Sequence, residues 1–486
     1  MKNAMNEFDE LLNWLEEQSL LSRDLVNQII ETYPEDEKNK WEQFRKTFFT
    51  IPNGNFLVEP MNSANLCPTL VSALQTVSHY RNQFNNDISM QFRRDVFQRV
   101  ISVARSLVAE HIGARKETIA LVRNTSEANN QLSRGFNKWE GNDVLIWDEN
   151  HPTNRFVWKE RCPAGSKVNE FSLKGVNFSA ADDEVEKAII ERIVNALTKE
   201  TVILSFSHVS NLSGIKLPAR AIVKAVRAHI KEKYNRDENS IHIHVDGAVS
   251  WGALKIDVQE MDCDSFSSSS HKWLMGPFET GILYMKTEKA KNFDISIHGY
   301  NGNIDFIEKI PEDTSRFEFL GQRDDANLLG MMTAVNVHLN LGKEVIERRV
   351  KELQKYLITK LNEMTQRLGV EVKYATPMSQ QFSHGVTVMQ FRKANGIPFN
   401  HPELNAFLYS KSSSKRFAVA DTGINDGKTN ELRICPHIMN LETTIEAAVE
   451  RIGLYLKSVL SEDGSAQMEL DKASSINWPG NPLSES

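Results

Sequence analysis

The stretch Ser265-Phe266-Ser267-Ser268-Ser269-Ser270-His271-Lys272-Trp273-Leu274-Met275-Gly276-Pro277 decides how the rest of this 486-residue chain is read. It sets a lysine between a serine run and an apolar Trp-Leu-Met segment, with Gly and Pro directly behind. Apolar surroundings disfavour an ammonium ion. An amine left neutral is a nucleophile and condenses with carbonyl groups to give Schiff bases. A plain surface lysine in a loop would read the same way. The chemistry therefore depends on what the chain places around Lys272.

Working outward, the sequence before Lys272 alternates short apolar runs with amphipathic ones. Strands are expected at 118–122, 143–147, 202–205, 241–246 and 281–285, with helices such as 183–197 and 218–234 between them. This alternation predicts an α/β fold with a mostly parallel sheet between helices. Ligands of such sheets bind beyond the carboxyl ends of the strands. Upstream, residues 6–48 carry apolar residues at helical spacing, divided by Pro34, and 92–112 forms another apolar helical stripe. After Gly321 come helices at 328–341 and 345–368, then shorter strands (370–374, 386–391, 417–420, 432–435) with helices near 402–410 and 441–460. The expected organisation is an N-terminal helical segment (1–50), a large α/β domain (51–325), a smaller α+β domain (326–460) and a disordered polar tail (461–486).

Composition narrows the partners. The chain is 40% hydrophobic and 25% charged, with a formal net charge of -7. That balance argues against nucleic acid or an anionic membrane surface as the main partner. No apolar run approaches bilayer length, and the N-terminus lacks the basic start and apolar core of a signal peptide. Cys67, Cys162, Cys263 and Cys435 have no CxxC spacing and read as reduced thiols of a cytoplasmic protein.

The strand ends carry the candidate chemistry. Ile241-His242-Ile243-His244-Val245 runs into Asp246-Gly247-Ala248. An aspartate closing an apolar strand needs a cationic partner, and the protonated pyridine nitrogen of pyridoxal phosphate (PLP) is one. His242, His244 and Asp246 also share a strand face, so a metal site is the rival reading. Thr125 and Ser126 follow a strand and open a helix, which suits either a phosphate cradle or an ordinary helix cap. His151 follows the strand ending at Trp147 and could stack on a planar ring or be a loop histidine. Arg433 interrupts an apolar strand and suits a substrate carboxylate or a structural ion pair.

Together these segments resemble fold-type I PLP enzymes of the class V aminotransferase family, the group that includes cysteine desulfurases and isopenicillin N epimerase-like proteins. The resemblance spans about residues 60–455. It is carried by Val245-Asp246-Gly247-Ala248, by Ser269-Ser270-His271-Lys272 through Gly276-Pro277 and Gly281-Ile282-Leu283-Tyr284, and by His208-Val209-Ser210-Asn211-Leu212-Ser213-Gly214. It implies a seven-stranded-type sheet and a homodimer. It further implies that Lys272 binds PLP covalently, Asp246 pairs with the pyridine nitrogen and His151 stacks on the ring. Thr125, Ser126, Ser269 and His271 would hold the phosphate, Asn211 would lie near the phenolic oxygen, and Arg433 would take the substrate carboxylate. Gly321-Gln322-Arg323-Asp324 is similar to a segment that reaches the neighbouring subunit's site, which makes Gln322 a cofactor contact and Arg323 a substrate contact.

Two departures stand out. Where the family often has Gln or His three residues after the aspartate, this chain has Val249. The stretch 420–428, where desulfurases carry a persulfide-forming cysteine, has none. The resemblance thus implies an enzyme that binds an amino acid or a derivative as an external aldimine and removes its α-proton. It leans toward carbon–sulfur lyase chemistry by β-elimination, with epimerase or aminotransferase as alternatives and a non-catalytic PLP-fold binding protein as a different class.

Overall fold

The computed structural model describes residues 2–18, 20–21, 23–30, 39–49, 56–299, 311–318, 320–321, 323–410, 415–422 and 430–461. Pro34, Gln322, residues 423–429 and the tail from 462 onward lie outside the described residues. The chain divides into two compact units, one of Met1–Tyr33, Leu66–Asn211 and Ile215–Glu347, the other of Pro34–Asn65, Leu212–Gly214 and Arg348–Ser486.

The first unit is an α/β structure. Its sheet has seven strands: β1 (Ile119–Val122), β2 (Asp143–Trp147), β3 (Val168–Phe171), β4 (Thr201–Ser207), β5 (His242–Asp246), β6 (Ser265–Ser269) and β7 (Gly281–Met285). Their spatial order is β1-β7-β6-β5-β4-β2-β3. All neighbours are parallel except β7, which runs antiparallel to both β1 and β6. Strands covered on both faces read as continuous apolar runs. Ile119-Ala120-Leu121-Val122 and Val144-Leu145-Ile146-Trp147 are of this kind, every side chain buried.

β3 and β6 do not read that way. β3 is an edge strand with only Phe171 buried. β6 lies inside the sheet and is made largely of the serine run, with Ser265, Ser267, Ser268 and Ser269 all buried. A buried hydroxyl without a partner is costly. Here each is bonded: Ser265 to His242 and His244, Ser267 and Ser269 to helix residues, and Ser268 to the Gly247 carbonyl at 3.1 Å. Tertiary hydrogen bonding overrides the weak strand propensity of serine.

Helices α1 (Lys2–Glu17), α2 (Arg23–Ile30), α4 (Val71–Asn86), α5 (Met90–Ile112), α6 (Thr125–Gly135), α7 (Pro152–Arg161), α8 (Asp182–Ala196) and α9 (Ala219–Tyr234) belong to this unit, and α3 (Lys40–Phe48) to the other. α8 opens on Asp182, Asp183 and Glu184, which suits the positive end of the helix dipole, and buries Val185, Ile189 and Ile193 on one face. Arg99 of α5 lies over the Trp14 ring at 4.4 Å, joining α1 to α5. The helix Asp325–Leu341 is buried nearly all round and packs on α4 and α5.

The second unit holds a four-stranded antiparallel sheet of β8 (Glu371–Tyr374), β9 (Thr387–Arg392), β10 (Ala420–Thr422) and β11 (Glu431–Ile434), in the order β10-β11-β9-β8. Its core joins Leu353, Leu357, Leu361 and Met364 of the helix Lys343–Leu368 to Leu432, Ile434, Ile445 and Ile452. The buried pair Arg45–Glu59, at 2.6 Å, ties α3 into this unit, and the same guanidinium donates to the Met439 carbonyl.

Candidate active site

Lys272 follows β6 on a tightly held turn. Its carbonyl accepts from the Met275 amide at 3.0 Å, the Gly276 amide donates back to Ser270, and the Cys67 amide donates to the His271 carbonyl. Met275 takes a left-handed backbone conformation (φ 58°). That conformation is strained for a residue with a β-carbon and is held by its surroundings. Trp273, Leu274 and Met275 are fully buried while Lys272 is half-buried. The lysine stem thus stands on a rigid apolar base.

Asp246 ends β5, between Ser207 of β4 and Ser267 of β6, and is buried. One carboxylate oxygen accepts from the Ala248 amide at 3.0 Å and the other from Asn129 Nδ2 at 3.0 Å. Gly247 is required next to it, because a β-carbon there would stand 1.9 Å from the Phe266 ring. His242 and His244 are not arranged around a cation. Both bond Ser265 Oγ at 2.8 Å, and no His/Cys/Asp/Glu group suited to a metal occurs among the described residues.

The start of α6 faces the end of β6. Asn124 is the helix cap, its Oδ1 accepting from the Glu127 amide at 2.9 Å, so Thr125 and Ser126 are first-turn residues rather than caps. With capping done by Asn124, the amide and the hydroxyl of Thr125 both meet Ser269 Oγ, at 2.8 and 2.7 Å. Two residues beyond Ser269, His271 stacks on Phe278 and leaves a buried Nδ1 with no partner among the described residues. Burial, then the neighbouring Lys272 charge, push the His271 pKa down to about 4. A helix N-terminus, hydroxyls and an orphaned imidazole nitrogen are the donor set that an oxyanion such as a phosphate group fits.

His151 caps α7, with Nδ1 at 2.9 Å from Thr153 Oγ1, which pins the plane of a half-buried ring. Asn150 beside it is fixed to β4 through the Ser205 carbonyl and the Ser207 amide. Asn211 follows β4, where the His208 amide donates to the Asp246 carbonyl at 2.8 Å. The structure therefore brings Thr125, Ser126, His151, Asn211, Asp246, Ser269, His271 and Lys272 to the strand-end edge of one sheet. Val249 is buried and offers no polar atom. Arg323 Nη1 donates to the Leu121 carbonyl at 3.1 Å, and burial lowers its pKa against the pull of Glu318 and Asp325. Arg433 sits in β11 of the second unit, buried, with Nη2 donating to Asn62 Oδ1 at 2.9 Å.

Asn129 is the residue the sequence reading passed over, although it stands only four positions after Thr125. Positions four apart share one helix face, so Asn129 follows Thr125 toward β5 and β6, and that spacing was the available signal.

A family model for "Aminotransferase class-V" matches residues 62–395. Isopenicillin N epimerase of Amycolatopsis lactamdurans is 25% identical over 361 residues, 72% of this chain and 83% of that protein. A probable cysteine desulfurase of Halalkalibacterium halodurans is 26% identical over 325 residues, 64% of this chain and 74% of that protein. The fold is shared with the cystine C–S lyase C-DES, solved with its product cysteine persulfide (TM-score 0.67, 19% identity, 81% of this chain and 96% of that chain). It is shared too with the apo cysteine desulfurase of Thermococcus onnurineus NA1 (TM-score 0.64, 20% identity, 82% and 95%). With that sheet order, a lysine turn after β6 and an aspartate closing β5, the chain belongs to the class-V aminotransferase family of PLP-dependent enzymes.

Proposed function

We propose that the protein uses PLP to cleave a carbon–sulfur bond of an amino acid or amino-acid derivative by β-elimination. The observation that carries the cofactor assignment is the pairing, at one sheet edge, of a rigidly mounted lysine with a buried, doubly hydrogen-bonded carboxylate on the adjacent strand. When bound, PLP accepts the electrons left on a substrate's Cα after its proton departs. Lys272 Nζ would be the amine that holds the cofactor's aldehyde carbon and, when free, the base placed to take the substrate's Cα proton. Asp246 would pair with the ring nitrogen. Thr125, Ser126, Ser269 and His271 would hold the phosphate, His151 would cover the ring and Asn211 would lie near the phenolic oxygen. Arg433 is the proposed carboxylate-binding group, by virtue of its buried guanidinium. Elimination from a cysteine derivative would release a thiol and an enamine, which water would convert to pyruvate and ammonia.

Cysteine placement favours elimination over persulfide relay. Cys67, Cys263 and Cys435 are buried, and burial raises the thiol pKa of Cys263 and Cys435. Cys162 is half-exposed, but its pKa is also raised, so a poised thiolate is missing there too. The epimerase relative, aligned over 83% of its length, supports epimerisation as the second reading. A homodimer is proposed on family grounds. The purified protein should be yellow and lose that absorbance on Lys272→Ala, whereas a colourless protein that takes up no PLP refutes the assignment. Incubation with amino acids and cysteine sulfoxides separates the reactions: pyruvate with ammonia indicates elimination, inverted chirality alone epimerisation, and dependence on a keto acid transamination.

A further inference from the structure

Behind Asp246 runs a file of buried polar groups that the proposed reaction leaves unused. It is built by strand register: His242, His244 and Asp246 share one face of β5, and Ser265 and Ser267 share one face of β6, with His244 opposite Ser265 and Asp246 opposite Ser267. Asn129 of α6 bridges the two strands. Every one of these groups is buried.

The direction of each hydrogen bond follows from one fixed point. A carboxylate only accepts, so Asn129 must present Nδ2 to Asp246, at 3.0 Å. Its Oδ1 then faces Ser267 Oγ at 2.9 Å and His244 Nε2 at 3.1 Å, and both must donate. A proton on His244 Nε2 leaves Nδ1 as an acceptor in the neutral ring, so Ser265 donates its hydroxyl proton across 2.8 Å. Ser265 Oγ in turn accepts from His242 Nε2 at 2.8 Å, and His242 Nδ1, the end of the file, has no partner among the described residues. Burial keeps both imidazoles neutral by lowering their pKa values. All the dipoles point toward Asp246, and no formal charge is added.

We propose that His242, Ser265, His244 and Asn129 are positioning residues, a one-way hydrogen-bond chain that fixes which carboxylate oxygen Asp246 turns to the pyridine nitrogen and keeps that nitrogen protonated. The proposal rests on the PLP assignment above. Asn129 is its key link, because it is the only member bonded to the carboxylate and to His244 at once among the described residues.

The test uses holoenzyme reconstituted with PLP carrying ¹⁵N in the ring, read by the ring-nitrogen shift and by equilibrium dialysis. Losing a hydrogen bond to a charged group changes an equilibrium by about 10- to 100-fold. Asn129→Leu should weaken PLP retention by about that factor and move the ring-nitrogen shift toward the unprotonated value. His244→Leu should move it in the same direction, and His244→Gln, which retains an N–H donor, should restore it. A purely structural role would not follow that donor rule. Because Asn129→Leu could fail to fold, ¹⁵N-histidine spectra of the unaltered holoenzyme supply an independent reading. Neutral Nε2–H tautomers of His242 and His244 are expected, and Nδ1–H or imidazolium forms overturn the chain. An unchanged ring nitrogen in all variants overturns the chain alone, whereas failure of the unaltered protein to take up PLP overturns the cofactor assignment and the chain together.

Discussion

Lowering the pH from 7 to 5 should destabilise the first unit by about 6 kcal/mol, through three buried histidines. His111, His208 and His244 all have pKa values pushed down from 6.5 to about 3, with burial the first cause in each case. Lys343 adds to the effect at His111 and Lys216 at His208, while Asp246 opposes it at His244. His111 is held neutral in another way too, since its Nδ1 accepts the Trp251 indole N–H at 3.0 Å. The sign follows from proton counts. Below pH 6.5 the unfolded chain protonates these rings and the folded chain does not, so stability rises with pH and is lost as pH falls toward 3. Each group contributes a slope of about 1.4 kcal/mol per pH unit, or about 2 kcal/mol between pH 7 and 5. Three such groups remove much of the ~5–15 kcal/mol that keeps a domain folded, and His242 acts in the same direction. Urea unfolding followed by tryptophan fluorescence at pH 7, 6 and 5 measures the loss. His111→Gln should reduce it by about 2 kcal/mol. Equal stability at pH 7 and 5, or a His111→Gln protein that loses as much as its parent, refutes the reasoning.

Gly247→Ala drives a β-carbon into the Phe266 ring and must displace the end of β5. Loss of about 1–3 kcal/mol in thermal unfolding, together with weakened PLP uptake, is expected. Arg45→Ala strands the buried Glu59 carboxylate and should cost about 3–5 kcal/mol in denaturant unfolding. Asn124→Ala removes the cap of α6 and should cost about 1 kcal/mol, with PLP retention falling as well because the same turn presents Thr125. Lack of any effect on PLP retention would detach that turn from the cofactor.

Most of the sheet is legible in the sequence, because β1, β2 and β7 are runs of buried apolar residues, and β4 and β5 set buried apolar residues among buried polar ones, with turn signals between the strands. β3 escaped because an edge strand with one buried side chain has no such run, and β6 because its strand state is imposed by partners distant in sequence. At the start of α6 the sequence leaves a cradle and a cap open for Thr125 and Ser126, and the structure gives the cap to Asn124, whose backbone is extended and whose side chain accepts from the Glu127 amide. Of the candidate residues, Lys272, Asp246 and Thr125 are legible as strand-end positions, and the structure places them there. His244 was visible but open to a metal reading, since sequence shows that two histidines share a face and not that a serine hydroxyl lies between them. Arg323 shows the same gap, because its bond to the Leu121 carbonyl depends on chain returning from about 200 residues away.

The serine-built β6 has a kinetic consequence. A strand with so little apolar surface gains nothing by collapsing early, and its hydroxyls find partners only once β5 and α6 flank it. It should therefore join the sheet after the folding barrier is crossed. Substitutions of its serines would then accelerate unfolding while leaving the refolding rate nearly unchanged.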